Sequence, residues 1–555
     1  MSNLLQKASI ITTPTAYDTG KILSVKPVQY YGPELVTNGD FSNGINSWQG
    51  TDASSLLSVV LGELKIENGD GSSAGANSSI TTEIGKEYRI TFVSNKGTAV
   101  EGVFFGAGTS TNSVNLLDVT DNFDGIHTET FTATTTITWF IAKTLSTVNG
   151  QFSYIDNVSV KEVINADFDF TRNSSATRVG SNGLIQDVAS NLPRIDYTGG
   201  VGSWKFEPQR TNLLPYSEDF TNWSVTNATL TENATISPDG TLNATKITDN
   251  ATSGNHRVIT PTTTPTSGNA TYSIFLKKGT MTTCFINMFS GGTIANTFVD
   301  LENGTISGGS GLSQTIEPYG NDWYRVSITG VLANSSTYVY VYVKQIGGYV
   351  GAEDHIFMYG AQLEEGSFPT SYIRSNSGSV TTRLADVANN AGSSDLINST
   401  EGVLYAEISA LADDGTPRYL SISDGSFTNR VSLYLSSTTN RIGSRIVVGG
   451  SSVFLNASNQ TQENNNKIAI KWKLNDYKFY INGVEAATYV LGGTFPASTL
   501  SEISFNDGGS GTAYLYSNTK CVAVFKEALT DLELECLVSW MSFSDLGINF
   551  GYTVE

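Results

Sequence analysis

Apolar and polar residues alternate along most of this chain, in short stretches separated by Gly, Asn, Ser and Thr. In KEYRITFVS, for example, the apolar residues Tyr88, Ile90 and Phe92 are two positions apart. Residues two apart lie on one face of a β-strand, so such stretches predict strands with one buried face. We therefore expect an all-β chain.

One order of segments occurs twice. The first copy begins with NGDFSNGINSW and closes with FSYIDNVSVKEV, and the second begins with SEDFTNW and closes with HIFMYGAQLEEG. This repetition predicts two copies of one jelly-roll β-sandwich, over residues 34–163 and 209–373. Trp48 and Trp223 hold equivalent positions in the two copies, so we expect both to plug the end of a core.

The last part of the chain, residues 402–555, has a pattern of its own. Ile468, Ile470 and Trp472 alternate with lysines, and the Asn-Gly pair at 482–483 indicates a tight hairpin. Thr530 and Glu533 have the spacing of a capping box, which predicts a short helix near the end. This part is predicted to be a third β-sandwich.

The remaining residues form an N-terminal segment, 1–33, and two connectors, 164–208 and 374–401. Both connectors contain a Ser-rich run and a Thr-Arg pair. We expect Arg178 and Arg383 to fix neighbouring domains by binding carboxylates or carbonyls.

Charge and composition exclude several partners. With a net charge of −20 and no cluster of Lys and Arg, the chain is not expected to bind nucleic acid. Neither a signal peptide nor a long apolar run is present, so neither classical export nor membrane insertion is expected. The three cysteines are widely separated, which predicts buried thiols rather than disulfides or a zinc site.

The sequence lacks the residue patterns of common hydrolases. The three histidines are far apart, and no metalloprotease or nucleophile-elbow motif occurs. The acidic pairs at 364–365 and 413–414 would point apart on a strand or sit in a turn, so they are interpreted as solvated turn acids and not as the two carboxylates of a glycosidase. We expect no enzymatic activity.

A segment with alternating Val and Tyr, residues 338–343, suggests a binding surface. Its valines are predicted to face the core and its tyrosines the opposite side of the sheet. Sugar rings stack on aromatic side chains, so the candidate carbohydrate-binding residues are Tyr338, Tyr340, Tyr342, Trp139 and Trp323. The alternative is that these tyrosines pack against another domain or subunit.

The framing NGDFSNGINSW and YIDNVSV resembles jelly-roll carbohydrate-binding modules of the family 4/9/22 type. The resemblance implies a structural calcium ion held by Asp40 and Asp156. The second copy has Gly360 and Ala361 near the last-strand position, so no calcium is expected there. Capping of turns is the alternative role for the two aspartates. With KFYINGVEA and VFKEALTDLELECL, the third block resembles a concanavalin A-like or laminin-G-like sandwich.

Three further stretches resemble virion proteins of tailed bacteriophages, particularly head-fibre and tail-fibre proteins. They are MSNLLQKASIITTPTAYDTGKILSVKP, DFDFTRNSSATRVGSNGLIQDV and FEPQRTNLLPYSEDFTNW. The resemblance implies a homotrimer on the exterior of the virion, anchored to other virion proteins by residues 1–33, with distal domains that contact host-surface glycans. The alternatives are a glycan depolymerase, a bacterial surface adhesin or enzyme-appended module, and an architectural decoration protein that binds no sugar.

Overall fold

The computed structural model describes residues 4–26, 30–121, 124–164, 166–266, 268–309, 313–509 and 513–539. The chain divides into two compact units, one formed by Met1–Pro27 with Ala166–Glu555 and the other by Val28–Asn165. In the described part of the chain, no helix is long and apolar enough to span a membrane.

The chain starts with a short helix and three strands of the larger unit. They are α1 (Leu4–Lys7), β1 (Ala8–Thr12), β2 (Tyr17–Asp18) and β3 (Lys21–Ile22).

The unit Val28–Asn165 is a two-sheet sandwich, and the jelly roll predicted over 34–163 lies within it. Its strands are β4 (Tyr30–Tyr31), β5 (Gln49–Gly50), β6 (Ser55–Val60), β7 (Glu63–Asn68), β8 (Gly75–Thr81), β9 (Glu87–Asn95), β10 (Val103–Gly108), β11 (Leu117–Asp121), β12 (Gly125–Thr132), β13 (Ile137–Thr144) and β14 (Phe152–Ile164). One sheet has the order β11-β10-β13-β8-β5 and the other β12-β9-β14-β7-β6. Tyr88, Ile90 and Phe92 are buried between them, as predicted.

This unit is an insertion in the larger one. Its first and last strands pair with each other, with Tyr31 opposite Val163. The next strand of the larger unit pairs with β3, and there Phe168 lies opposite Ile22. The chain therefore leaves and re-enters the larger unit at adjacent strands.

The larger unit resumes with six short strands, of which the first five lie in the region predicted as a connector. They are β15 (Phe168–Thr171), β16 (Ala176–Val179), β17 (Ile185–Val188), β18 (Ile195–Asp196), β19 (Ser203–Lys205) and β20 (Arg210–Asn212).

The second sandwich follows and repeats the topology of the first. It contains a 3₁₀ turn at Phe220–Asn222 and the strands β21 (Ser224–Thr226), β22 (Ala228–Ile236), β23 (Leu242–Asp249), β24 (Ser253–Gly254), β25 (Arg257–Ile259), β26 (Gly268–Lys278), β27 (Thr283–Ser290), β28 (Thr293–Asp300), β29 (Thr305–Gly308), β30 (Ser313–Pro318), β31 (Trp323–Leu332), β32 (Thr337–Tyr342), β33 (Tyr349–Val350) and β34 (His355–Glu365). Its sheets have the orders β29-β28-β27-β32-β25-β21 and β30-β31-β26-β34-β23-β22. Apart from the edge strands β29 and β30 and the separate pair β24-β33, each strand has its counterpart at the same place in the first sandwich.

Both predicted plugs occupy these cores. Trp48 and Trp223 are each 4% exposed, and each packs against the Phe of its Asp-Phe pair. The ring centroids are 5.4 Å apart for Phe41 and Trp48 and 4.8 Å apart for Phe220 and Trp223. The repeated Asp-Phe…Trp signature therefore seals equivalent ends of two sandwiches.

The last part of the chain contains two short strands, β35 (Thr381–Arg383) and β36 (Val387–Asn389), which pair with β20 and β15, and then the strands and the second helix of the third sandwich. The latter are β37 (Glu401–Ala410), β38 (Arg418–Ser423), β39 (Arg430–Leu435), β40 (Arg441–Val448), β41 (Ser451–Asn459), β42 (Asn466–Lys473), β43 (Tyr477–Ile481), β44 (Val484–Tyr489), β45 (Glu502–Ser504), β46 (Ser517–Phe525) and α2 (Asp531–Ser539). One sheet has the order β18-β19-β46-β37-β42-β43-β44 and the other β41-β40-β39-β38-β45. The all-β fold of tandem sandwiches is thus confirmed.

Local signals of the third block are present as predicted. Asn482 and Gly483 join β43 to β44 with φ of 48° and 85°, the left-handed conformation of a two-residue hairpin. The hydroxyl of Thr530 accepts a hydrogen bond from the backbone N–H of Glu533 at 3.3 Å. The Glu533 carboxylate accepts one from the Thr530 N–H at 2.9 Å, which completes the capping box of α2.

The N-terminal segment, predicted as a virion anchor, is part of this third sandwich. Strand β1 pairs antiparallel with β46, and Ile10 lies opposite Val524. Leu4 and Ile10 are 2% and 0% exposed. Residues 4–26 are therefore an edge of the folded domain rather than a separate tail.

The two predicted connectors meet in a buried ionic cluster. Glu207 accepts hydrogen bonds from Arg194 at 2.7 Å and from Arg383 at 2.6 Å. Asp386 accepts one from Arg172 at 3.0 Å and a second from Arg194. These five side chains are at most 2% exposed. The cluster ties together the segments that flank the second sandwich.

The role predicted for the two connector arginines holds for one of them. Arg383 binds the Glu207 carboxylate and the Pro208 carbonyl. Arg178 instead contacts the Gln186 side-chain oxygen and the Tyr17 hydroxyl, each at 3.3 Å. The prediction for Arg178 was wrong because Arg194, and not Arg178, binds the Glu207 and Asp386 carboxylates.

Candidate functional site

Strand β32 places three tyrosines on the outer face of the second sandwich. Val339, Val341 and Val343 are fully buried in the core, as predicted. Because side chains alternate along a strand, Tyr338, Tyr340 and Tyr342 point away from that core. The first two are half-buried and Tyr342 is 4% exposed.

These tyrosines continue into a row of four aromatic rings. Tyr338 stacks on Phe289 of β27, with centroids 4.8 Å apart and an angle of 12° between the ring planes. The centroid distance is 5.2 Å from Tyr338 to Tyr340 and 5.9 Å from Tyr340 to Tyr342. We call Phe289, Tyr338, Tyr340 and Tyr342 the aromatic row.

Arg257 of β25 holds one end of the aromatic row. Its guanidinium lies 4.0 Å from the Tyr340 ring centroid and 5.4 Å from that of Tyr342. Its Nη1 donates a hydrogen bond to the Tyr342 hydroxyl at 2.7 Å, while its Nε is buried without a hydrogen-bond partner among the described residues. Cation–π contacts of this kind fix the orientation of the rings.

The described ring contacts of the aromatic row stay within the second sandwich. Each tyrosine contacts Phe289, Arg257 or the next tyrosine. Packing against another domain or subunit, the alternative considered from the sequence, stays a prediction.

A cleft of about 440 Å³ lies over the equivalent sheet of the first sandwich, lined by Trp48, Asn77 and Trp139 among others. Trp139 on β13 is half-buried and lies opposite Ser79 of β8. The Asn77 Oδ1 and the Trp48 Nε1 are buried without hydrogen-bond partners in the described residues. The cleft thus combines the half-buried Trp139 ring with polar side chains such as Gln49 and Ser79, the kinds of groups that bind sugar rings and hydroxyls.

Trp323, also a candidate from the sequence, is not available to a ligand. It is 1% exposed, and its indole Nε1 donates to the Ile236 carbonyl at 3.0 Å. It points outward from its sheet, but Ile185 of the connector hairpin and Tyr372 cover it. The prediction was wrong because the connector covers this sheet.

The carboxylates of Asp40 and Asp156 have different surroundings. Asp40 accepts hydrogen bonds from the Ser42 backbone N–H at 3.2 Å and hydroxyl at 3.0 Å, which lower the pKa of its carboxyl group. Burial raises the pKa of Asp156, and the nearby charge of Asp40 raises it further. The Oδ1 of Asp156 is buried without a hydrogen-bond partner among the described residues.

The alternative role of Asp40 as a turn cap is therefore present, and the unpaired Asp156 oxygen fits a cation. No group of three or more His, Cys, Asp or Glu side chains in the described ranges is arranged to hold a metal ion. A calcium ion bound by Asp40 and Asp156 would need its other oxygen ligands from the backbone and from water, which calcium accepts readily.

At the equivalent place in the second sandwich a guanidinium neutralises the acids. The hydroxyl of Tyr359, at the position of Asp156, lies 2.8 Å from a Glu218 oxygen and 2.9 Å from an Asp239 oxygen, and can donate its one proton to either. Arg374 donates to Glu218 and, at 3.2 Å, to Asp239. An internal cation thus replaces any need for a metal ion at this position.

The acidic pairs were predicted to be solvated acids of turns, and this was wrong for Glu364, which lies buried within strand β34. Glu364 is fully buried and accepts hydrogen bonds from Thr370, and Glu365 accepts one from the Thr266 N–H at 2.7 Å. Asp414 pairs with Arg418 at 2.7 Å. Asp413 accepts hydrogen bonds from the Asn440 N–H and the Gln462 amide.

Comparisons with known proteins place the chain in no family. No family model and no curated protein matches it. Among solved structures, it is similar to the CBM40 of a Ruminococcus gnavus IT-sialidase bound to α2,3-sialyllactose, with 16% identity and a TM-score of 0.24 over 27% of this chain and 94% of that one. A mouse laminin α1 LG4-5 structure is 7% identical over 51% of this chain and 92% of that one, with a TM-score of 0.18. A Trypanosoma rangeli sialidase is 9% identical over 95% and 96%, with a TM-score of 0.21. Scores this low carry no argument about function.

Proposed function

We propose that this chain is a non-catalytic glycan-binding protein whose second sandwich binds saccharides on the aromatic row. The observation that supports the proposal is the continuous line of four rings on one sheet face, oriented by Arg257. Sugar rings present flat C–H faces that stack on aromatic side chains.

The cleft with Trp139 provides a second position for saccharides. It lies over the sheet of the first sandwich that corresponds to the sheet of the aromatic row. Duplicated sandwiches that each use the same face give two attachment points on one chain, and linked sites raise the overall affinity for a polymer.

We further propose that the chain acts on the exterior of a tailed-bacteriophage virion, as a homotrimeric head-fibre or tail-fibre subunit that attaches to host-surface glycans. The support is the sequence resemblance of the N-terminal and connector stretches. Since residues 4–26 are folded against the third sandwich, other virion proteins would contact a surface formed by this domain rather than a loose tail.

Glycan-array binding by the full chain tests the central proposal. We expect Tyr340→Ala to weaken binding to any glycan recognised by the wild type at least about tenfold, or about 1.4 kcal/mol. Tyr154→Ala, a half-buried tyrosine on the opposite sheet of the first sandwich, serves as the matched control. Binding that is unchanged in Tyr340→Ala would assign recognition to another surface.

A purely architectural role is the second candidate, and the buried ionic cluster of the connectors favours it. Five charged side chains fix the second sandwich relative to its flanking segments. Uniformly blank arrays would support this role instead. A reducing-end assay on host polysaccharide tests the depolymerase alternative, for which we expect no product.

A further inference from the structure

Three arginines without a carboxylate partner lie on the outer face of the five-stranded sheet of the third sandwich. They are Arg430 on β39 and Arg441 and Arg445 on β40. Among the described residues, no carboxylate lies within 4.0 Å of any of the three, whereas Arg418 on the other face of the same sheet pairs with Asp414. In a chain with a net charge of −20, such a cluster is unexpected.

The strand register brings two of these guanidiniums together. Arg445 lies opposite Ser432, which is two residues from Arg430 on the same face of β39. Diagonal neighbours of this kind are within reach of long side chains. Burial lowers the pKa of Arg430, and the charge of Arg445 lowers it further.

Arg430 is almost completely buried and only partly satisfied. It is 8% exposed, and its Nη1 donates to the main-chain oxygen of Asp507. The Nε atoms of Arg430 and Arg445 are both buried without a hydrogen-bond partner in the described part of the chain. Asp507 is the acid that faces Arg430, but its own Oδ1 is also buried and unpaired. Two adjacent guanidinium groups with unpaired donors destabilise the fold unless an anion binds them and accepts their hydrogen bonds.

Two stacked tyrosines adjoin the arginines. The rings of Tyr419 and Tyr434, on paired strands, have centroids 5.1 Å apart and planes 28° apart. The Tyr434 ring lies directly over Gly443, where a Cβ would be 2.3 Å from the ring. The face therefore offers aromatic surface beside positive charge.

We infer that this arginine face, formed by Arg430, Arg441, Arg445, Tyr419 and Tyr434, binds an acidic saccharide through its carboxylate or sulfate group. Guanidinium groups match the geometry of these anions, and the tyrosines suit a sugar ring. The combination favours a saccharide over an acidic protein segment, which would need no stacked rings. The site is distinct from the aromatic row and the Trp139 cleft.

Calorimetric titration of the full chain tests the inference with three probes. Trigalacturonate supplies carboxylates, a heparin hexasaccharide supplies sulfates, and maltotriose is the neutral control. We expect at least one acidic probe to bind, more tightly at low than at high ionic strength, and maltotriose not to compete with it. The probe that binds identifies the anionic group.

The test variants are Arg441→Gln and Arg445→Gln, singly and together, since both side chains reach solvent. We expect the double variant to lose at least about tenfold in affinity. Lys473→Gln, an exposed cation of the same domain that pairs with Glu401, is the control. Circular dichroism checks that each variant is folded.

Several results would overturn the inference: no binding of either acidic probe, wild-type affinity in the double variant, or full displacement of the probe by a poly-glutamate peptide at equal concentration. Tyr340→Ala separates this site from the proposed function. It should leave acidic-probe binding unchanged, so the two sites can fail independently.

Discussion

Asn157 on β14 and Gly360 on β34 adopt the same left-handed backbone conformation, with φ of 50° and 56°, at the same bulge of the two closing strands. The residue after each bulge binds the opening loop of its own sandwich. The Val158 N–H donates to the Gly39 carbonyl at 2.9 Å, and the Ala361 N–H donates to the Ser217 carbonyl at 2.8 Å. One backbone hydrogen bond thus joins the opening loop to the closing strand in both copies.

The first prediction concerns this close contact. A Cβ at Gly39 would lie 1.9 Å from the Val158 oxygen, so Gly39→Ala must push the opening loop off the bulge. We expect a loss of about 2 kcal/mol or more in the stability of the first sandwich, measured by calorimetric unfolding. Gly32→Ala, whose Cβ would meet only ordinary contacts from 3.5 Å, is the control. Equal melting temperatures for the two variants would show that the contact is dispensable.

The second prediction concerns calcium. The unpaired Asp156 Oδ1 beside Asp40 should bind the ion, so added calcium should raise the unfolding temperature of the first sandwich and EDTA should reverse the effect. Asp156→Asn should abolish the calcium response, while Asp118→Asn, at an exposed position of β11, should retain it. An identical melting curve in calcium and EDTA for the wild type would leave both aspartates as turn residues.

The third prediction follows from the buried ionic cluster. Burial alone would raise the pKa of Glu207, but Arg383 and Arg194 outweigh burial and hold it well below its usual value. Glu207→Gln should therefore cost about 3 kcal/mol at pH 7, because the arginines lose a buried partner. Denaturant unfolding measures this difference.

The pH dependence of that difference has a defined sign. Because the pKa of Glu207 is lower in the folded than in the unfolded protein, its charge stabilises the fold fully at pH values above the unfolded-state pKa of about 4.3. This stabilisation is lost as the pH falls towards the folded-state pKa. The difference in the free energy of unfolding between the wild type and Glu207→Gln should be constant above about pH 5 and should decrease below it. Glu232→Gln, at an exposed position of β22, should show neither effect. A difference that does not change with pH would mean that the charge of Glu207 is not what stabilises the fold.

The fourth prediction concerns the N-terminal strand. Ile10 is fully buried against β46, so Ile10→Ala should destabilise the third sandwich by about 3 kcal/mol. Val25→Ala, in the same segment but 38% exposed, should change stability little. If the two variants melt alike, residues 4–12 are a loose tail and the sheet does not depend on them.

The parts of the fold set by local sequence were predictable. The alternation of apolar and polar residues predicted the strands, and the Asp-Phe…Trp repeat predicted the duplicated sandwich. Asn482-Gly483 predicted a hairpin turn, and Thr530 predicted the N-terminal cap of α2. The pairing of β1 with β46 was not predictable, because ASIIT is short and its partner strand lies more than 500 residues away in sequence. Long-range pairing is not encoded in any local pattern.

The candidate site was predictable to a similar extent. Alternation alone put the tyrosines of β32 outside the core. Trp323 has the same type of signal, and only the connector that covers its sheet distinguishes it. Glu207 and Asp386 look like ordinary surface acids in sequence, since the arginines that bury them come from other segments. The clustering of the guanidinium groups of β39 and β40 could not be predicted either, because it depends on the register in which the two strands pair.

The insertion of Val28–Asn165 between the paired strands β3 and β15 has an evolutionary consequence. The inserted chain begins and ends at two adjacent, paired strands of the larger unit. Recombination at this point can therefore remove, enlarge or replace the whole inserted module, and every strand of the larger unit keeps its partner. A lineage could exchange the inserted module in a single genetic event, and the rest of the polypeptide would still fold.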